Sequence, residues 1–215
     1  MKKALLILSA IVFTASGYGQ ATKKQAKTTN KTVIENNPAV SAKTNVEDSS
    51  FLTQFVPEGY KVLYTASGDL NLDQYPDMIL VLKKDGEETT SNVVDHPEKR
   101  PLLILLGQAD NTYKLAARND NAVYCVDCGG MMGDPFMQVV IKNGYFSIEH
   151  YGGSTWRWTR IITFKYSSAD NYWYLHKDGG DSFHASDPEN VTTKVRTTKD
   201  FGKVPFDKFD IYKED

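Results

Sequence analysis

The sequence predicts a single all-β domain, and three of its features lead to that prediction. Apolar residues recur with the two-residue period of strands and almost nowhere with the period of a helix. Turn-forming residues separate these runs, as Asn143-Gly144 does between two apolar segments. Residues 51–215 can bury a core without a metal or a disulfide. We expect two antiparallel four-stranded meanders packed together, in a partial-propeller or sandwich-like arrangement, with at most one short helix.

The first predicted meander consists of four strands with a polar excursion in the middle. The expected strands are 61–65, 78–82, 102–106 and 113–117. Residues 83–100 are polar and contain Asp85-Gly86 and His96-Pro97, so we expect them to run over the surface. Ser49 or Ser50 would cap the one short helix, which is expected to end at Gln54.

The second predicted meander is rich in aromatic residues. The expected strands are 136–141, 145–150, 156–166 and 172–175. In the third of these, Trp156 and Trp158 share a face with Arg160 and with later apolar residues, and we expect this face to lie in the core. A further strand could form at 191–195. Four later apolar residues are expected to pack as a closing segment: Phe201, Phe206, Phe209 and Ile211.

A ten-residue stretch, 68–77, carries the best-supported candidate site. Oxygen-bearing side chains occur at Asp69, Asn71, Asp73 and Asp77, which are positions one, three, five and nine of a loop. Calcium binds six to eight hard oxygen ligands, and alternation of ligand and spacer lets a loop wrap the ion while the position-seven carbonyl, here that of Tyr75, completes it. The pattern therefore predicts a calcium site, and it identifies no reaction.

This stretch, with the apolar strand that follows it, resembles the calcium hairpin of FG-GAP/VCBS-type repeats. The resemblance implies the same calcium ligands at Asp69, Asn71, Asp73 and Asp77, with the Tyr75 carbonyl. The repeats have glycine after the third ligand, whereas this chain has Gln74. A left-handed conformation is costly for a residue with a Cβ atom, so we expect this difference to weaken calcium binding.

A wider resemblance extends over most of the chain after residue 51. Segments 55–82, 125–130, 133–136 and 150–158 are similar to an uncharacterised family of exported bacterial proteins. The calcium motif occurs once in the chain, whereas a complete propeller needs several blades.

The N-terminal residues predict export. Residues 1–19 have a basic start, an apolar run at 4–15 and small residues at Gly17 and Gly19, which is typical of a signal peptide cleaved before Gln20. The alternative is a membrane anchor. No cysteine lies near the cleavage point to carry a lipid. Residues 20–50 are polar and read as a flexible tether. We therefore expect a secreted or periplasmic protein with no membrane span in the mature chain.

Charge argues against nucleic acid as a partner. The whole chain has a formal net charge of −2, and residues 51–215 carry −6, from 18 basic and 24 acidic residues. Nucleic-acid affinity depends on clustered basic residues, so an acidic domain binds nucleic acid poorly. An envelope protein or a polysaccharide is the more plausible partner. Five lysines of the tether could contact anionic envelope polymers: Lys23, Lys24, Lys27, Lys31 and Lys43.

The two cysteines, Cys125 and Cys128, permit three interpretations. In an exported chain the favoured one is a small disulfide ring that fixes local shape. A redox motif would need a helix after it, and Gly129-Gly130 does not start one. A zinc site would need two further ligands, and no histidine has zinc-like spacing to the pair: His96, His150, His176 and His184.

Two alternatives to a calcium-binding structural role remain open at the sequence level. An envelope hydrolase could use His150 near Ser154, or the segment 176–184, although both read more simply as strand-end and hairpin-loop residues. A carbohydrate-binding module could use exposed aromatic rings of the second meander. Those rings are Trp156, Trp158, Trp173, Tyr151, Tyr172 and Tyr174.

Overall fold

The computed structural model describes residues 46–213, which form two antiparallel sheets. The predicted signal peptide and most of the predicted tether lie outside this range. The first sheet has four strands in sequence order: β1 (Tyr60–Gly68), β2 (Asp77–Lys84), β3 (Leu102–Gly107) and β4 (Tyr113–Asn119). The second sheet has five: β5 (Phe136–Lys142), β6 (Tyr145–Gly153), β7 (Trp156–Ser167), β8 (Tyr172–His184) and β9 (Asp187–Thr197). The all-β prediction is confirmed.

Each sheet is a meander because its strands pair in sequence order. The clearest turn is that of the β5–β6 hairpin, where Asn143 has φ 48° and Gly144 has φ 75°. Both values lie in the left-handed region that a two-residue hairpin turn requires. The resulting register places Lys142 opposite Tyr145, as the predicted Asn-Gly turn implies.

The two sheets share one core. Period-two alternation along the strands directs apolar side chains from both sheets to the same interior. From the first sheet these are Ile79, Val81, Leu102 and Ile104; from the second they are Phe146, Ile148, Ile162, Phe164, Trp173 and Leu175. Predicted core positions on β7 are confirmed at Ile162 and Phe164, whereas Trp156 is 63 % exposed and lies outside the core.

The first sheet buries its second face as well. Leu80, Leu82, Leu103 and Leu105 form a separate apolar cluster with Leu52. Leu52 belongs to a 3-10 helix, Val46–Phe55, which begins inside the predicted tether. Because both faces are covered, β2 and β3 are almost continuously apolar.

The helical content is higher than expected. Besides the helix at Val46–Phe55, the described chain contains α1 (Glu87–Thr90), α2 (Thr198–Phe201) and 3-10 turns at Gly130–Met132 and Phe206–Lys208. The excursion between β2 and β3 is only partly a surface loop, because Glu87 and Arg100 are fully buried. No helix among residues 46–213 is long and apolar enough to span a membrane.

The second sheet also differs from the expected four strands. The possible strand at 191–195 is part of a full fifth strand, β9, and β8 continues to His184 instead of ending near Leu175. Polar and glycine-rich residues conceal the second half of β8 in the sequence. Gly180 is required there by packing, because a Cβ atom on it would overlap the Thr159 carbonyl of β7.

The predicted closing segment is confirmed. Phe206, Phe209 and Ile211 are buried in the shared core. The side-chain amide of Asn119, at the end of β4, donates to the carbonyls of Phe206 at 2.5 Å and Phe209 at 2.8 Å. The Leu175 N–H of β8 donates to the Val204 carbonyl at 2.8 Å. The segment therefore connects the two sheets.

Phe206→Ala tests the closing segment. The Phe206 ring contacts Phe146 and Phe164 with centroid distances of 5.6 and 5.2 Å. We expect the free energy of unfolding, measured by urea denaturation, to fall by about 3–5 kcal/mol because a large cavity is left. Phe51→Ala, at a ring that is 40 % exposed, is the control and should cost no more than about 2 kcal/mol. Equal losses in the two variants would contradict a special role for the segment.

Candidate functional site

The predicted calcium loop joins the first two strands of the first sheet. β1 ends at Gly68, immediately before Asp69, and β2 begins at Asp77. The Gly68–Asp77 pairing closes the base of the loop, so both of its ends are held by the sheet. The five predicted ligand positions therefore lie in one short hairpin loop.

Asp77 is the buried anchor of this loop. Its side chain is fully buried, and its carboxylate accepts hydrogen bonds from the N–H of Leu70 at 2.7 Å and of Gly107 at 3.0 Å. Burial raises the pKa of Asp77, the two backbone donors oppose that rise, and the charges of Asp73 and Asp69 add to it. The negative charges of Asp69 and Asp73 are therefore felt at Asp77.

The other predicted ligands fold the loop through local hydrogen bonds. Asp69 Oδ1 accepts from the Leu72 N–H at 2.6 Å. Asp73 Oδ1 accepts from the Tyr75 N–H at 2.9 Å, and Asn71 Oδ1 accepts from the Asp73 N–H at 3.2 Å. The Tyr75 carbonyl accepts no hydrogen bond from the described part of the chain.

Two non-glycine residues of the loop adopt left-handed backbone conformations. They are Leu72 with φ 66° and Gln74 with φ 72°. Gln74 is the sixth loop position, where calcium loops of this spacing have glycine for a sharp turn. The expected conformation at Gln74 is confirmed, and it strains the backbone by about 1–2 kcal/mol.

The loop also contacts the second sheet. The Asp69 carbonyl accepts from the Gly144 N–H at 3.0 Å, and the Leu70 carbonyl accepts from the indole Nε1–H of Trp173 at 3.0 Å. Leu72 packs over Gly144, where a Cβ atom would lie 3.2 Å from the leucine side chain. The loop therefore lies at the seam between the sheets.

Cys125 and Cys128 form the expected disulfide. Both sulfurs are consumed by this bond, so the nearby group of Cys125, Asp127 and Cys128 offers no thiolate to a metal. Asp127 instead accepts from the Ser91 hydroxyl at 2.6 Å and the Val93 N–H at 2.7 Å. The ring thereby fastens the β4–β5 connection to the β2–β3 excursion.

His150 is a buried residue of β6. Its side chain is 1 % exposed, and Nε2 accepts from the Tyr124 N–H at 3.4 Å. The other ring nitrogen, Nδ1, makes no hydrogen bond with a described residue. The nearby Arg160 backbone favours the protonated ring, but this effect is smaller than that of burial. Burial and the charge of Arg160 lower the pKa of His150 to about 3. The ring is a neutral core group, closed to substrate.

The segment 176–184 was expected to form a polar hairpin loop, and that expectation is wrong. It is the second half of β8, and the turn to β9 comes after His184. His184 lies against Trp156, with ring centroids 5.2 Å apart, and its Nδ1 is 2.7 Å from the Ser186 hydroxyl. His150 and His184 therefore do not meet in one pocket.

The aromatic residues of the second sheet do not form one platform. Trp173 is buried at 1 % exposure and belongs to the core, whereas Trp156 is exposed. Trp158 is half-buried against Tyr124, with ring centroids 5.8 Å apart. A sugar-binding surface built on the three tryptophans does not form.

Two buried ion networks were missing from the sequence interpretation. Arg100 pairs with Glu87 at 2.5 Å and with Asp134 at 2.7 Å, which joins α1 to the β4–β5 connection. Arg160 and Arg196 both pair with Asp178 on β8. Burial would raise the pKa of Asp178, but the two guanidinium groups outweigh burial and lower it. In the sequence, only Arg160, a charged residue on the predicted core face of its strand, indicated a buried acidic partner.

Fold and loop together define an all-β protein of two docked antiparallel meanders with an acidic loop at their seam. No protein-family model matches the chain, and neither a curated protein nor a solved structure matches it.

His150 makes stability depend on pH. Its pKa is about 3 in the folded protein and about 6.5 in the unfolded chain, so between these values only the unfolded chain takes up the proton. The contribution of His150 to stability is therefore complete above pH 6.5 and is lost on acidification, by about 1.4 kcal/mol per pH unit between roughly pH 5.5 and pH 4, with no further loss below pH 3.

Urea denaturation at a series of pH values, for wild type and His150→Gln, measures this term. Glutamine can still accept from the Tyr124 N–H, but it does not titrate. We expect the variant to be less stable at pH 7 and to have a flatter pH dependence between pH 6 and pH 4. Parallel curves would mean that other groups cause the acid sensitivity.

Proposed function

We propose that this protein is a secreted or periplasmic, calcium-binding all-β domain with a binding or structural role in the cell envelope. In this proposal calcium is bound by the side chains of Asp69, Asn71, Asp73 and Asp77 and by the Tyr75 carbonyl. The bound ion would order the loop and so stabilise the contact between the two sheets.

The observation that carries the proposal is the conformation of the loop. Three carboxylates lie close enough for Asp69 and Asp73 to raise the pKa of Asp77, which is unfavourable unless a cation offsets their charge. The left-handed residue at the sixth position gives the loop the sharp backbone turn that a calcium loop makes there, and the fourth position is left-handed as well.

The contacts of the loop suggest what calcium would do. The Asp69 and Leu70 carbonyls accept hydrogen bonds from Gly144 and Trp173 of the second sheet. A cation that orders Asp69 and neutralises Asp73 would also fix these two carbonyls. Binding would therefore stabilise the docking of the sheets, which is a structural role.

The histidines favour a binding or structural role over hydrolysis. A hydrolase based on His150 would need solvent access and an orienting acid, and His150 is 1 % exposed. His184 lies on a different part of the sheet, beside Trp156. Neither arrangement brings a base, a nucleophile and a carboxylate together.

Two features support export. The basic start, apolar run and small-residue cleavage site at 1–19 are typical of a secretory signal peptide. Cys125 and Cys128 form a disulfide, and disulfides persist in oxidising compartments and are rare in the cytosol. Outside the cytoplasm, abundant calcium would fill a site of modest affinity.

A thermal melt with EDTA and with millimolar calcium tests the proposal directly. A ligand that binds only the folded state stabilises it by about 2.7 kcal/mol at a hundredfold excess over Kd. We expect calcium to raise the midpoint of the wild type by several degrees. Asp73→Asn keeps the acceptor for the Tyr75 N–H but removes a charge, so its midpoint should respond much less.

Asp95→Asn is the matched control for that melt. Asp95 is an exposed carboxyl outside the loop, and this variant should respond to calcium like the wild type. An unchanged wild-type midpoint, or an equal response in Asp73→Asn, would refute the calcium site.

Gln74→Gly tests the strained turn. Glycine adopts φ 72° without a Cβ clash, so we expect calcium to bind up to about fivefold more tightly, as measured by calorimetry. Gln74→Ala removes the same polar group but keeps the Cβ atom, and its affinity should match the wild type. Equal gains in both variants would show that backbone strain is not the cause.

A further inference from the structure

The outer face of the second sheet carries a row of lysines and tyrosines. Strand register places Lys142, Tyr145, Lys165 and Tyr174 side by side across β5 to β8. Their neighbours on the strands, among them Phe146, Phe164 and Trp173, point into the core. Because successive side chains alternate, the row faces away from the core.

A second row lies next to the first on the same face. It contains Val140, Ser147, Thr163 and Lys177. Thr163 pairs with Lys177 and Phe164 pairs with Leu175, so His176 is an extra residue that interrupts the pairing of β8 with β7. Both His176 and Lys177 are exposed. We call the two rows, with His176, the lysine–tyrosine face.

No carboxylate occupies a strand position in these two rows. Glu149 is one row further and accepts from Gln138 at 2.8 Å. Asp200, just after β9, accepts from the N–H of Thr197, the strand partner of Lys177, at 2.7 Å. Residues 51–215 have a formal net charge of −6, so a face with three lysines and no acid at its strand positions differs in sign from the domain as a whole.

The three lysines are exposed, and among residues 51–213 none of them pairs with a carboxylate. Lys165 lies over the ring of Tyr145, 5.3 Å from its centroid. Lys142 and Lys177 have no such contact. Neighbouring strands are about 4.8 Å apart, which places the backbones of Lys142 and Lys165 about 10 Å from each other.

A groove lies at the β5–β6 end of this face. Its volume is about 390 Å³, and it is lined by Val140, Lys142, Asn143, Tyr145 and Ser147. The lining combines a cation, an amide, two hydroxyl groups and an aromatic ring. Charged amines beside a ring and hydroxyl groups match a sugar that carries a negative charge, because the ring can stack on the sugar while the amines pair with its anionic group.

We propose that the lysine–tyrosine face binds an anionic polysaccharide. The amines of Lys142, Lys165 and Lys177 pair with carboxylate or sulfate groups along the chain, and the Tyr145 ring packs against a sugar unit. The hydroxyl groups of Ser147 and Thr163 lie between the lysines and hydrogen-bond to each other at 2.8 Å, and their remaining lone pairs can accept from the sugar hydroxyls. This face does not include the calcium ligands, so the proposal does not depend on calcium.

Fluorescence anisotropy with labelled dextran sulfate tests the assignment. Measurements are made at low ionic strength and in EDTA, so that calcium cannot bridge protein and polymer. We expect dextran sulfate to bind and unsulfated dextran of the same length to bind much more weakly. Affinity should fall as salt is added, because ion pairs at an exposed face are screened.

Two charge-matched double variants locate the binding surface. Lys142→Gln with Lys177→Gln removes two amines from the face and should weaken binding about tenfold. Lys61→Gln with Lys114→Gln removes two exposed amines from the first sheet and should change affinity by less than about twofold. All four residues are exposed, so unchanged melting temperatures verify the fold of each variant.

Tyr145→Leu separates sugar recognition from charge. We expect it to weaken dextran sulfate about fivefold and to leave the binding of polyglutamate unchanged, because only a sugar stacks on the ring. Polyglutamate binding as tight as dextran sulfate would overturn the sugar assignment. Equal losses in the two lysine double variants would overturn the location, and no binding of dextran sulfate would overturn the proposal.

Discussion

The buried carboxylate of Asp77 holds the first sheet to its loop. It is the first residue of β2, and its two oxygens accept hydrogen bonds from Leu70 in the loop and Gly107 at the end of β3. A buried carboxylate without such donors would be strongly destabilising. The first of these bonds positions Leu70, whose side chain enters the shared core and whose carbonyl accepts a hydrogen bond from the indole N–H of Trp173. One side chain thus links β2, β3 and the second sheet.

A second set of polar contacts holds the other end of the molecule. Arg100 joins the buried Glu87 to Asp134, and Asp127 beside the disulfide binds Ser91 and Val93. These contacts connect the β2–β3 excursion to the β4–β5 connection. Breaking a buried pair leaves an uncompensated charge, so the loss of either partner would destabilise this connection. The two sheets are therefore held by apolar packing in the middle and by polar contacts at each end.

The sequence was sufficient for the fold class and for eight strands because each of those strands is apolar on at least one face. The Asn143-Gly144 turn was also readable, since its backbone conformation favours these two residue types. The second half of β8 was not, because Gly179 and Gly180 resemble a turn. Their actual role is to admit the neighbouring backbones of β7 and β9, which only tertiary structure reveals.

The candidate site was predictable in part. Spacing alone placed the five loop residues together, and the φ of Gln74 followed from its position in the motif. Asp77 is hydrogen-bonded to Gly107, thirty positions away in the sequence. The spacing of residues within the loop does not reveal this contact. The same holds for the lysine–tyrosine face, because Lys142, Lys165 and Lys177 come from three strands and meet only through register.

The Trp173–Leu70 hydrogen bond joins residues 103 positions apart, and the Asn119–Phe206 bond spans 87. Strands within each sheet pair with their neighbours in sequence, so each meander can form before such distant contacts are made. Interactions that form after the rate-limiting step of folding chiefly slow unfolding. We therefore expect the seam to govern the lifetime of the folded molecule, while the hairpins within each sheet govern how quickly it forms.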